Sequence, residues 1–430
     1  MKIFPGRGLA GLFVATSLAA CSNPSLTTSS PPDASSNDVD AGSSDAGSSD
    51  AGSDVNATDP MWCGRGTDVS SAKAADGFCL KHYASIGEAR ALVLAPNGDL
   101  FVAGPSHDTA GGARGGPGAI VLLSDDDHDG VGEEHVFLTK LDAATSLADV
   151  HGLALGGGYL YFTTQASVWR IAYKDGQRAA EGAPEDLKLP AQFGTGGRWT
   201  HGLARSAGGQ LLASRGAYAS CGDMSTGGEV SSVGAAGALQ PIAVGFRNPM
   251  YLRCHRTDEV CAAMELGEDL QTGATEKMLM LHPNTNYGFP CCYTKGAPST
   301  KGPAMGTMCG DVTKEDASFA LSDTPFGFDW EPGNWPAPYH NAVFVALHGS
   351  AYSTPSWQGA AVVYAATDPT THAPVQDWQP FQTGFGPGGS VLDRPSDVVF
   401  SSEGRMFIAD DESGNVYWVA PKTLAAPATN

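Results

Sequence analysis

The stretch that decides the fold is Ala91-Leu-Val-Leu-Ala-Pro-Asn-Gly-Asp-Leu-Phe-Val102, in which a Pro-Asn-Gly turn joins two short apolar runs. Such a unit predicts two antiparallel strands, because Asn and Gly adopt the backbone conformations of a tight turn without strain. The same strand–turn–strand pattern recurs at 151–162, 202–212 and 397–408. Repetition of one small β unit therefore organises the chain.

The body of the chain, from about residue 60 to 422, is predicted to be all-β. No long stretch shows the apolar spacing of a helix, and the 55 glycines and 28 prolines of the 430-residue chain suit many turns. Third strands follow two of the units, at 167–172 and 415–419. A body of about 360 residues is too large for a simple sandwich, so the repeats predict a β-propeller of roughly five to seven blades.

The first 21 residues resemble an export signal. A short apolar run, Leu9–Leu18, precedes Leu18-Ala-Ala-Cys21, which resembles a lipoprotein cleavage site. The run is too short for a membrane span, which needs about twenty residues. We expect cleavage before Cys21 and acylation of that cysteine, which would anchor the protein in the cell envelope. Ser22 follows the cysteine where an Asp would signal retention in the inner membrane, so the outer membrane is favoured. The alternative to a lipoprotein signal is an ordinary signal peptide in which Cys21 has no role.

Residues 22–59 are predicted to be a disordered linker, and residues 423–430 a short tail. The linker repeats Asp-Ala-Gly-Ser and contains no aromatic residue, no Lys and no Arg. Such a segment cannot bury enough apolar surface to fold. Its seven aspartates repel one another, and removing them from the formal charge of −21 leaves −14 on the rest. This acidic balance argues against nucleic acid as a partner.

The cysteines predict disulfides. Nine cysteines without Cys21 leave eight, and an even number behind an export signal indicates disulfide bonding. A metal site is the weaker alternative, since no Cys-x-x-Cys occurs. Four of the eight, namely Cys221, Cys309 and the adjacent Cys291 and Cys292, allow three different pairings among themselves. The pairs expected from short loops are Cys63–Cys79, Cys254–Cys261, and Cys309 with Cys291 or Cys292.

Two motifs carry side chains suited to holding a cofactor. They are Val244-Gly-Phe-Arg-Asn-Pro-Met-Tyr251 and Asn286-Tyr-Gly-Phe-Pro290. Arg247 offers a permanent cation and a planar fork of donors. Asn248 offers both a donor and an acceptor, and the following proline fixes the backbone. A well-packed turn with a surface arginine is the structural alternative.

These motifs resemble the glucose/sorbosone dehydrogenase family, and the sorbosone-type branch is the nearer one. Further stretches that resemble the family follow in the family's order, so the resemblance covers roughly residues 87–419; they are Glu265–Leu270, Phe326–Trp330, Ala342–Ser350, Arg394–Val398 and Ala409–Val416. The resemblance implies a six-bladed β-propeller that carries pyrroloquinoline quinone (PQQ) at the mouth of its central channel. It also implies that Arg247 and Asn248 contact the cofactor.

The chain departs from the family where the catalytic base is expected. The family places a histidine shortly before the strand pair that corresponds to 202–212, and Arg198 stands at that position. An arginine is essentially never deprotonated, whereas an imidazole titrates near the working pH. His201 is the candidate replacement if the loop shifts. A structural imidazole bonded to a neighbouring blade is the alternative for His201.

A second departure follows the His348-Gly-Ser350 stretch. The sorbosone-type pattern continues with Trp-Asn-Arg, but this chain has Ala351-Tyr352-Ser353, so one cation for the quinone is missing. His348 remains a candidate cofactor contact. His151 is a second candidate catalytic residue, because a His-Gly pair that opens an inner strand directs its side chain to the propeller axis. Each of these two histidines also has a structural interpretation.

An acidic loop, Asp125-Asp-Asp-His-Asp-Gly-Val-Gly-Glu133, has the spacing of a calcium loop. Asp125, Asp127, Asp129 and Glu133 are the predicted ligands, and a glycine turns the chain between them. The loop is not an EF-hand, because Val136 stands where the twelfth-position Glu belongs. We expect calcium here; a solvated acidic turn is the alternative.

Two functions follow from the sequence. One is a lipid-anchored, PQQ-dependent dehydrogenase that oxidises an aldose or similar sugar and passes hydride to PQQ. The other is a non-catalytic propeller that binds a carbohydrate or an envelope protein at its channel mouth. Partners expected for the first are a small sugar, an electron acceptor that the sequence does not specify, and a second copy of the chain as a homodimer.

Overall fold

The computed structural model describes ten stretches of the chain: residues 61–70, 72–106, 116–195, 198, 200–217, 228–268, 271–299, 308–349, 360–383 and 394–426. All belong to one compact unit, residues 57–430. The export signal with Cys21, the linker, Cys221 and 350–353 lie outside these stretches. Their predicted roles stay predictions.

The described residues form six small sheets, each a blade of a six-bladed β-propeller, which confirms the predicted fold. The first three blades are given from the innermost strand outwards. Blade 1 contains Ala91–Leu94, Leu100–Gly104, Ala119–Ser124 and Glu133–Leu138. Blade 2 contains Leu153–Gly156, Tyr159–Thr163, Val168–Ala172 and Glu185–Asp186. Blade 3 contains Leu203–Arg205, Leu211–Arg215, Gly228–Val233, Leu239–Phe246 and Thr285–Asn286.

The other three blades follow the same order, and the last two recruit N-terminal strands. Blade 4 contains Pro249–Cys254, Cys261–Glu265, Glu276–Met280 and Ala317–Phe319. Blade 5 contains Pro325–Trp330, Val343–Leu347, Ala361–Ala365, Gln379–Thr383 and Lys73–Ala74. Blade 6 contains Pro395–Phe400, Met406–Asp410, Asn415–Pro421, Phe78–Ser85 and Thr67–Asp68.

Short elements complete the described structure. A two-stranded hairpin pairs Cys292–Thr294 with Ala297–Pro298. The 3-10 helices are Trp62–Gly64, Ala191–Thr195, Ala235–Gly237 and Met308–Gly310. Within the described stretches, every helix is too short or too polar to cross a bilayer.

Blade 6 closes the ring by joining the two ends of the body. Asn415–Pro421 pairs antiparallel with Phe78–Ser85, so that Val419 lies opposite Leu80. The seam buries large apolar side chains, among them Trp418 and Tyr417, both fully buried. Each such side chain contributes about 1.5–3 kcal/mol when it leaves water. Pairing of distant strands therefore fixes the two chain ends of the body to one another.

The turn chemistry behaves as the sequence predicts. In the first unit, Gly98 adopts a φ of +93°, which glycine reaches without a steric penalty, and its amide donates to the Ala95 carbonyl at 3.0 Å. The predicted disulfides are also confirmed: the bonded pairs are Cys63–Cys79, Cys254–Cys261 and Cys292–Cys309. Cys292 is thus the member of the adjacent pair that joins Cys309, and Cys291 is disulfide-bonded as well.

Candidate active site

The six innermost strands neighbour one another around the axis and begin at the same end of the propeller. Four of the five predicted catalytic and cofactor-binding residues stand just before such a strand; His348 does not. The residues at these starts are Arg90, His151, His201, Arg247, Asn248 and Arg394. We call this end of the propeller the N-terminal end, after the inner strands, and the opposite one the C-terminal end. The fold thus gathers residues that are far apart in sequence at one end.

The backbone of the Arg247–Asn248 turn is fixed by the Glu265 carboxylate. Glu265 Oε1 accepts the backbone N–H of Arg247 at 2.5 Å, and Oε2 accepts that of Asn248 at 3.0 Å. The Arg247 guanidinium donates to the carbonyls of Leu266 and Gly267. Asn248 is 5% exposed, and its Oδ1 has no hydrogen-bond partner among the described residues. A buried acceptor of this kind is costly unless a ligand satisfies it.

The Asn286–Pro290 loop is hydrogen-bonded to the strand that leads into the Arg247–Asn248 turn. The amides of Tyr287 and Phe289 donate to the carbonyls of Val244 and Gly245 at 3.0 and 2.9 Å. Gly245 has a φ of +85°, and a Cβ there would lie 2.3 Å from Asn286 Oδ1. The glycine is therefore needed both for its conformation and for the close approach. The Asn-Tyr-Gly-Phe-Pro loop supports the strand that ends in the Arg247–Asn248 turn.

Arg198, at the position where the family has its base, lies beside Asn248. A Cβ added to Gly216 would lie 2.7 Å from Arg198 Cγ and 3.0 Å from Asn248 Oδ1. Arg198 is half-buried. The small Gly216 thus leaves room for an arginine side chain next to the amide of Asn248. A fixed cation, not an imidazole, occupies this part of the N-terminal end.

His201 is enclosed by protein. It is fully buried, its Nδ1 lies 3.0 Å from the Ser214 carbonyl, and its Nε2 lies 3.1 Å from the Gln165 carbonyl. Its ring packs on Phe193 at a centroid distance of 4.2 Å. Burial lowers the pKa of His201 to about 4. Both ring nitrogens face backbone oxygens, which matches the structural interpretation of this residue.

His151 lies against the central channel. The channel holds a cavity of about 620 Å³ whose lining extends from His151 to His255 and does not include the Arg247–Asn248 turn. The ring is fully buried, with Nδ1 3.3 Å from the His201 carbonyl and an edge-on contact to Tyr251 at 5.1 Å. Burial, with the nearby Arg90 charge, lowers the pKa of His151 to about 3. The imidazole is therefore neutral at ordinary pH.

His348 belongs to a buried ionic network. Its Nε2 lies 2.9 Å from both oxygens of Asp411, and Arg394 Nη2 donates to its Nδ1 at 3.0 Å. Arg90 forms a salt bridge to the same carboxylate. Phe326 stacks on the His348 ring at 4.1 Å and lies 4.9 Å from the Arg90 guanidinium. The network joins blades 1, 5 and 6.

The charges of this network set its protonation. Burial alone would raise the pKa of Asp411, but His348 and Arg90 outweigh burial and hold that pKa well below its usual range. Burial lowers the pKa of His348 to about 4, although Asp411 opposes this shift. The carboxylate is therefore ionised and the imidazole neutral near pH 7. Arg90 and the pairing role of Asp411 are not evident from the sequence, because Asp411 lies 321 residues from Arg90 and 63 residues from His348.

The acidic loop lies between Ala119–Ser124 and Glu133–Leu138 of blade 1. One carboxylate oxygen from each of Asp125, Asp127 and Asp129 falls within 4.8 Å of the others, and this group does not include Glu133. Asp125 also accepts from Arg405 at 2.7 Å. The loop therefore brings three of the four predicted calcium ligands together. One of these three, Asp125, also forms a salt bridge with Arg405.

No family model matches the chain, and no curated protein matches it by sequence. Solved structures with a similar fold include the calcium structure of a Trichoderma reesei carbohydrate-active enzyme of family AA12, 17% identical, covering 83% of this chain and 98% of that one, with a TM-score of 0.65. The holo PQQ domain of Coprinopsis cinerea pyranose dehydrogenase is 16% identical over 81% and 97%, with a TM-score of 0.64. The PQQ-bound aldose sugar dehydrogenase of Streptomyces coelicolor is 17% identical over 81% and 99%, with a TM-score of 0.53. At these identities the similarity shows the fold.

Proposed function

We propose that this protein is a PQQ-dependent dehydrogenase that oxidises an aldose or a similar sugar-derived substrate. The observation that carries the proposal is the Arg247–Asn248 turn, which the Glu265 carboxylate fixes at the N-terminal end with Asn248 Oδ1 buried and no hydrogen-bond partner in the described residues. The PQQ named for two structures of similar fold supports it. The sorbosone-type branch remains part of the proposal.

The residues at this end fit such a cofactor. PQQ is planar; its carboxylates and quinone require cations and hydrogen-bond donors, and its pyrrole N–H can donate to an acceptor such as Asn248 Oδ1. Arg247 and Asn248 are the residues that would hold it, and Arg198 adds a cation beside Asn248. The ring nitrogens of His348, the third predicted contact, already bond to Asp411 and Arg394, so His348 would support this end through that network. Bound PQQ would supply the hydride acceptor. The chain itself would bind the sugar, orient its hydroxyl and remove the proton.

We assign the proton-accepting role to His151 rather than His201. His151 lines the channel cavity, whereas the two ring nitrogens of His201 both face backbone carbonyls. If His151 Nδ1–H donates to the His201 carbonyl, Nε2 carries the lone pair that accepts the substrate proton. The lowered pKa of His151 keeps this atom unprotonated at working pH, and the same shift makes it a weaker base than an ordinary imidazole. His201 would then orient His151 through its backbone.

A second candidate function is a propeller that binds an anionic carbohydrate without oxidising it. Arg198 favours this function, because a guanidinium clamps carboxylates and does not accept protons. Both functions use the same end of the molecule. They differ in whether PQQ binds and whether a sugar is oxidised.

We further propose calcium at Asp125, Asp127 and Asp129, and an outer-membrane lipid anchor at Cys21. The convergence of the three carboxylates and the calcium in a structure of similar fold support the first. The Leu18-Ala-Ala-Cys21 stretch supports the second.

The test is reconstitution of the purified protein with PQQ and Ca²⁺, followed by turnover of a panel of aldoses and uronic acids with an artificial electron acceptor. The dehydrogenase predicts a quinone absorbance change and substrate-dependent reduction of the acceptor. Binding of a sugar acid with no PQQ uptake would overturn the dehydrogenase and leave the binding propeller.

A further inference from the structure

A separate group of convergent side chains lies at the C-terminal end of the inner strands. His255 directly follows Pro249–Cys254, the strand that begins just after Asn248. Six residues of strand extend about 20 Å, so the group is remote from the Arg247–Asn248 turn. Asp258 lies in the turn that leads back to Cys261, and His372 comes from a loop of blade 5.

The three side chains direct their ligand atoms at one point. His255 Nδ1 lies 3.1 Å from Asp258 Oδ2, and His372 Nε2 lies 2.8 Å from the same oxygen. All three atoms fall within 4.8 Å of one another. A metal with bonds of about 2.0–2.2 Å to nitrogen and oxygen places neighbouring ligand atoms about 3 Å apart. The spacing thus suits one ion between two blades.

The surrounding structure fixes these side chains. The turn that carries Asp258 is closed by the Cys254–Cys261 disulfide, and Asp258 Oδ1 accepts the Val260 amide at 3.0 Å, so Oδ2 is the oxygen directed at the imidazoles. Contacts of this kind orient metal-ligating carboxylates.

His372 is held by its backbone. Its φ of 55° lies in the left-handed region, which histidine adopts more readily than most residues. Its amide donates to the Asp368 carbonyl at 2.9 Å, and its carbonyl accepts Trp330 Nε1 at 3.0 Å. Its ring stacks on that of His255 at 3.6 Å. These contacts hold the imidazole between blades 4 and 5, where its Nε2 lies 2.8 Å from Asp258 Oδ2.

We propose that His255, Asp258 and His372 bind a divalent transition-metal ion of the zinc class. Two imidazoles and one carboxylate suit Zn²⁺, Co²⁺, Ni²⁺ or Cu²⁺, whereas Ca²⁺ and Mg²⁺ prefer oxygen ligands throughout. The two rings lie nearly parallel, at an interplanar angle of 13°, so they must rotate for both nitrogens to face one ion. The bound ion joins the loops of blades 4 and 5. This site is independent of the proposed dehydrogenase activity.

Solvent can reach the site. The side chains of His255, Asp258 and His372 are 15%, 39% and 14% exposed, and His255 also lines the central cavity. An ion can therefore enter without unfolding of the blade. Three protein ligands leave coordination positions for water.

The test uses the full chain without a histidine tag, stripped with chelator and titrated with Co²⁺ and then Zn²⁺. The parent should bind one Co²⁺ with the visible absorption of a nitrogen-ligated ion, and Zn²⁺ should displace it while a large excess of Ca²⁺ should not. His372→Ala should weaken Co²⁺ binding at least tenfold, and Asp258→Asn, which keeps the shape of the turn, should also weaken it.

Two variants serve as matched controls. His340→Ala removes an exposed histidine of blade 5, and Asp127→Ala removes a member of the acidic loop; neither should change Co²⁺ binding. The proposal is overturned if the parent shows no nitrogen-ligated Co²⁺ band, if the band survives in both His372→Ala and Asp258→Asn, or if Asp127→Ala abolishes it.

Discussion

The two ends of the propeller are built from the same strands but carry different chemistry. At the N-terminal end of the inner strands, Arg90, Arg394 and the neutral His348 are buried in one network around Asp411. At the C-terminal end, half-exposed groups of metal-ligating type converge, in the acidic loop and in the His255–Asp258–His372 group. The first end suits an anionic organic ligand and the second suits cations. A propeller thus separates two kinds of site by strand direction alone.

The largest expected effect concerns His151, the proposed base at the N-terminal end. His151→Ala should lower sugar turnover by about 10²–10⁴-fold, the usual contribution of a general base, with PQQ binding retained. His201→Ala should mainly lower stability, because that ring packs and bonds inside the blade. Steady-state kinetics and a PQQ titration on both variants check this. A larger turnover loss for His201→Ala than for His151→Ala would reverse the assignment.

The buried network should be sensitive to loss of its central charge. Asp411→Asn leaves Arg90 with only the more distant Glu88 carboxylate, 3.9 Å away, and breaking a buried pair costs about 3–5 kcal/mol in the free energy of unfolding. The matched control is Glu403→Gln, since the Glu403–Arg405 pair is 3.6 Å apart and partly exposed and such pairs contribute about 0–1 kcal/mol. Urea unfolding measures both. Equal losses of unfolding free energy in Asp411→Asn and Glu403→Gln would show that the buried network contributes no more to stability than a partly exposed ion pair.

The histidines of the N-terminal end should make the protein sensitive to acid. The pKa values of His151, His201 and His348 are lowered to about 3, 4 and 4, below the unfolded value of about 6.5. Between these values the unfolded chain binds protons that the native state does not, so the free energy of unfolding falls as pH drops. Each histidine contributes about 2 kcal/mol of this loss at pH 5.

Buried carboxyls oppose this trend. Burial raises the pKa of Asp397 to about 6, so the native state holds its proton and gains stability as pH falls through that value; burial also raises the pKa values of Glu265, Asp316 and Asp323. The shifts of the three histidines are larger, so unfolding curves at pH 7, 6 and 5 should show a net loss. His201→Gln should reduce the slope, whereas the exposed His340→Gln should not. Constant stability from pH 7 to 5 would contradict the buried, neutral state of these rings.

The smallest expected effect is at the acidic loop. Chelation should lower the melting temperature of the parent by a few degrees, because an ion at 100 times its Kd stabilises by about 2.7 kcal/mol. Asp127→Ala should remove this sensitivity, and Asp126→Ala should keep it, since Asp126 pairs with Arg178 instead. Melting curves with and without Ca²⁺ decide between a calcium site and a solvated turn.

The sequence predicted the features that depend on local pattern. Strand–turn–strand units gave the propeller, short loops gave the disulfides Cys63–Cys79 and Cys254–Cys261, and a short motif located the Arg247–Asn248 turn. Features that depend on closure of the ring were not predictable in this way. Arg90 and Asp411 meet only because blade 6 closes beside blade 1, and no local signal pairs residues 321 positions apart.

The C-terminal end was missed for a related reason. His255 and Asp258 have a spacing that could have drawn attention to them, but their partner His372 lies in a loop of the next blade, 114 residues beyond Asp258. The sequence indicates Glu265 only as part of the family-like stretch Glu265–Leu270. Its two hydrogen bonds to successive amides follow from the pairing of Pro249 with Glu265 across two strands, which a single sequence does not reveal.

The central claim is that the N-terminal end alone holds PQQ, and an equilibrium titration of PQQ in the presence of Ca²⁺ tests it most directly. Arg247→Ala should weaken binding by about 2–5 kcal/mol, because it removes a buried charge partner. Arg256→Ala, which removes an arginine bonded to Asp329 and the Trp330 carbonyl beside the opposite opening, should bind PQQ as the parent does. Equal binding by Arg247→Ala and the parent, or an equal loss in both variants, would contradict the account.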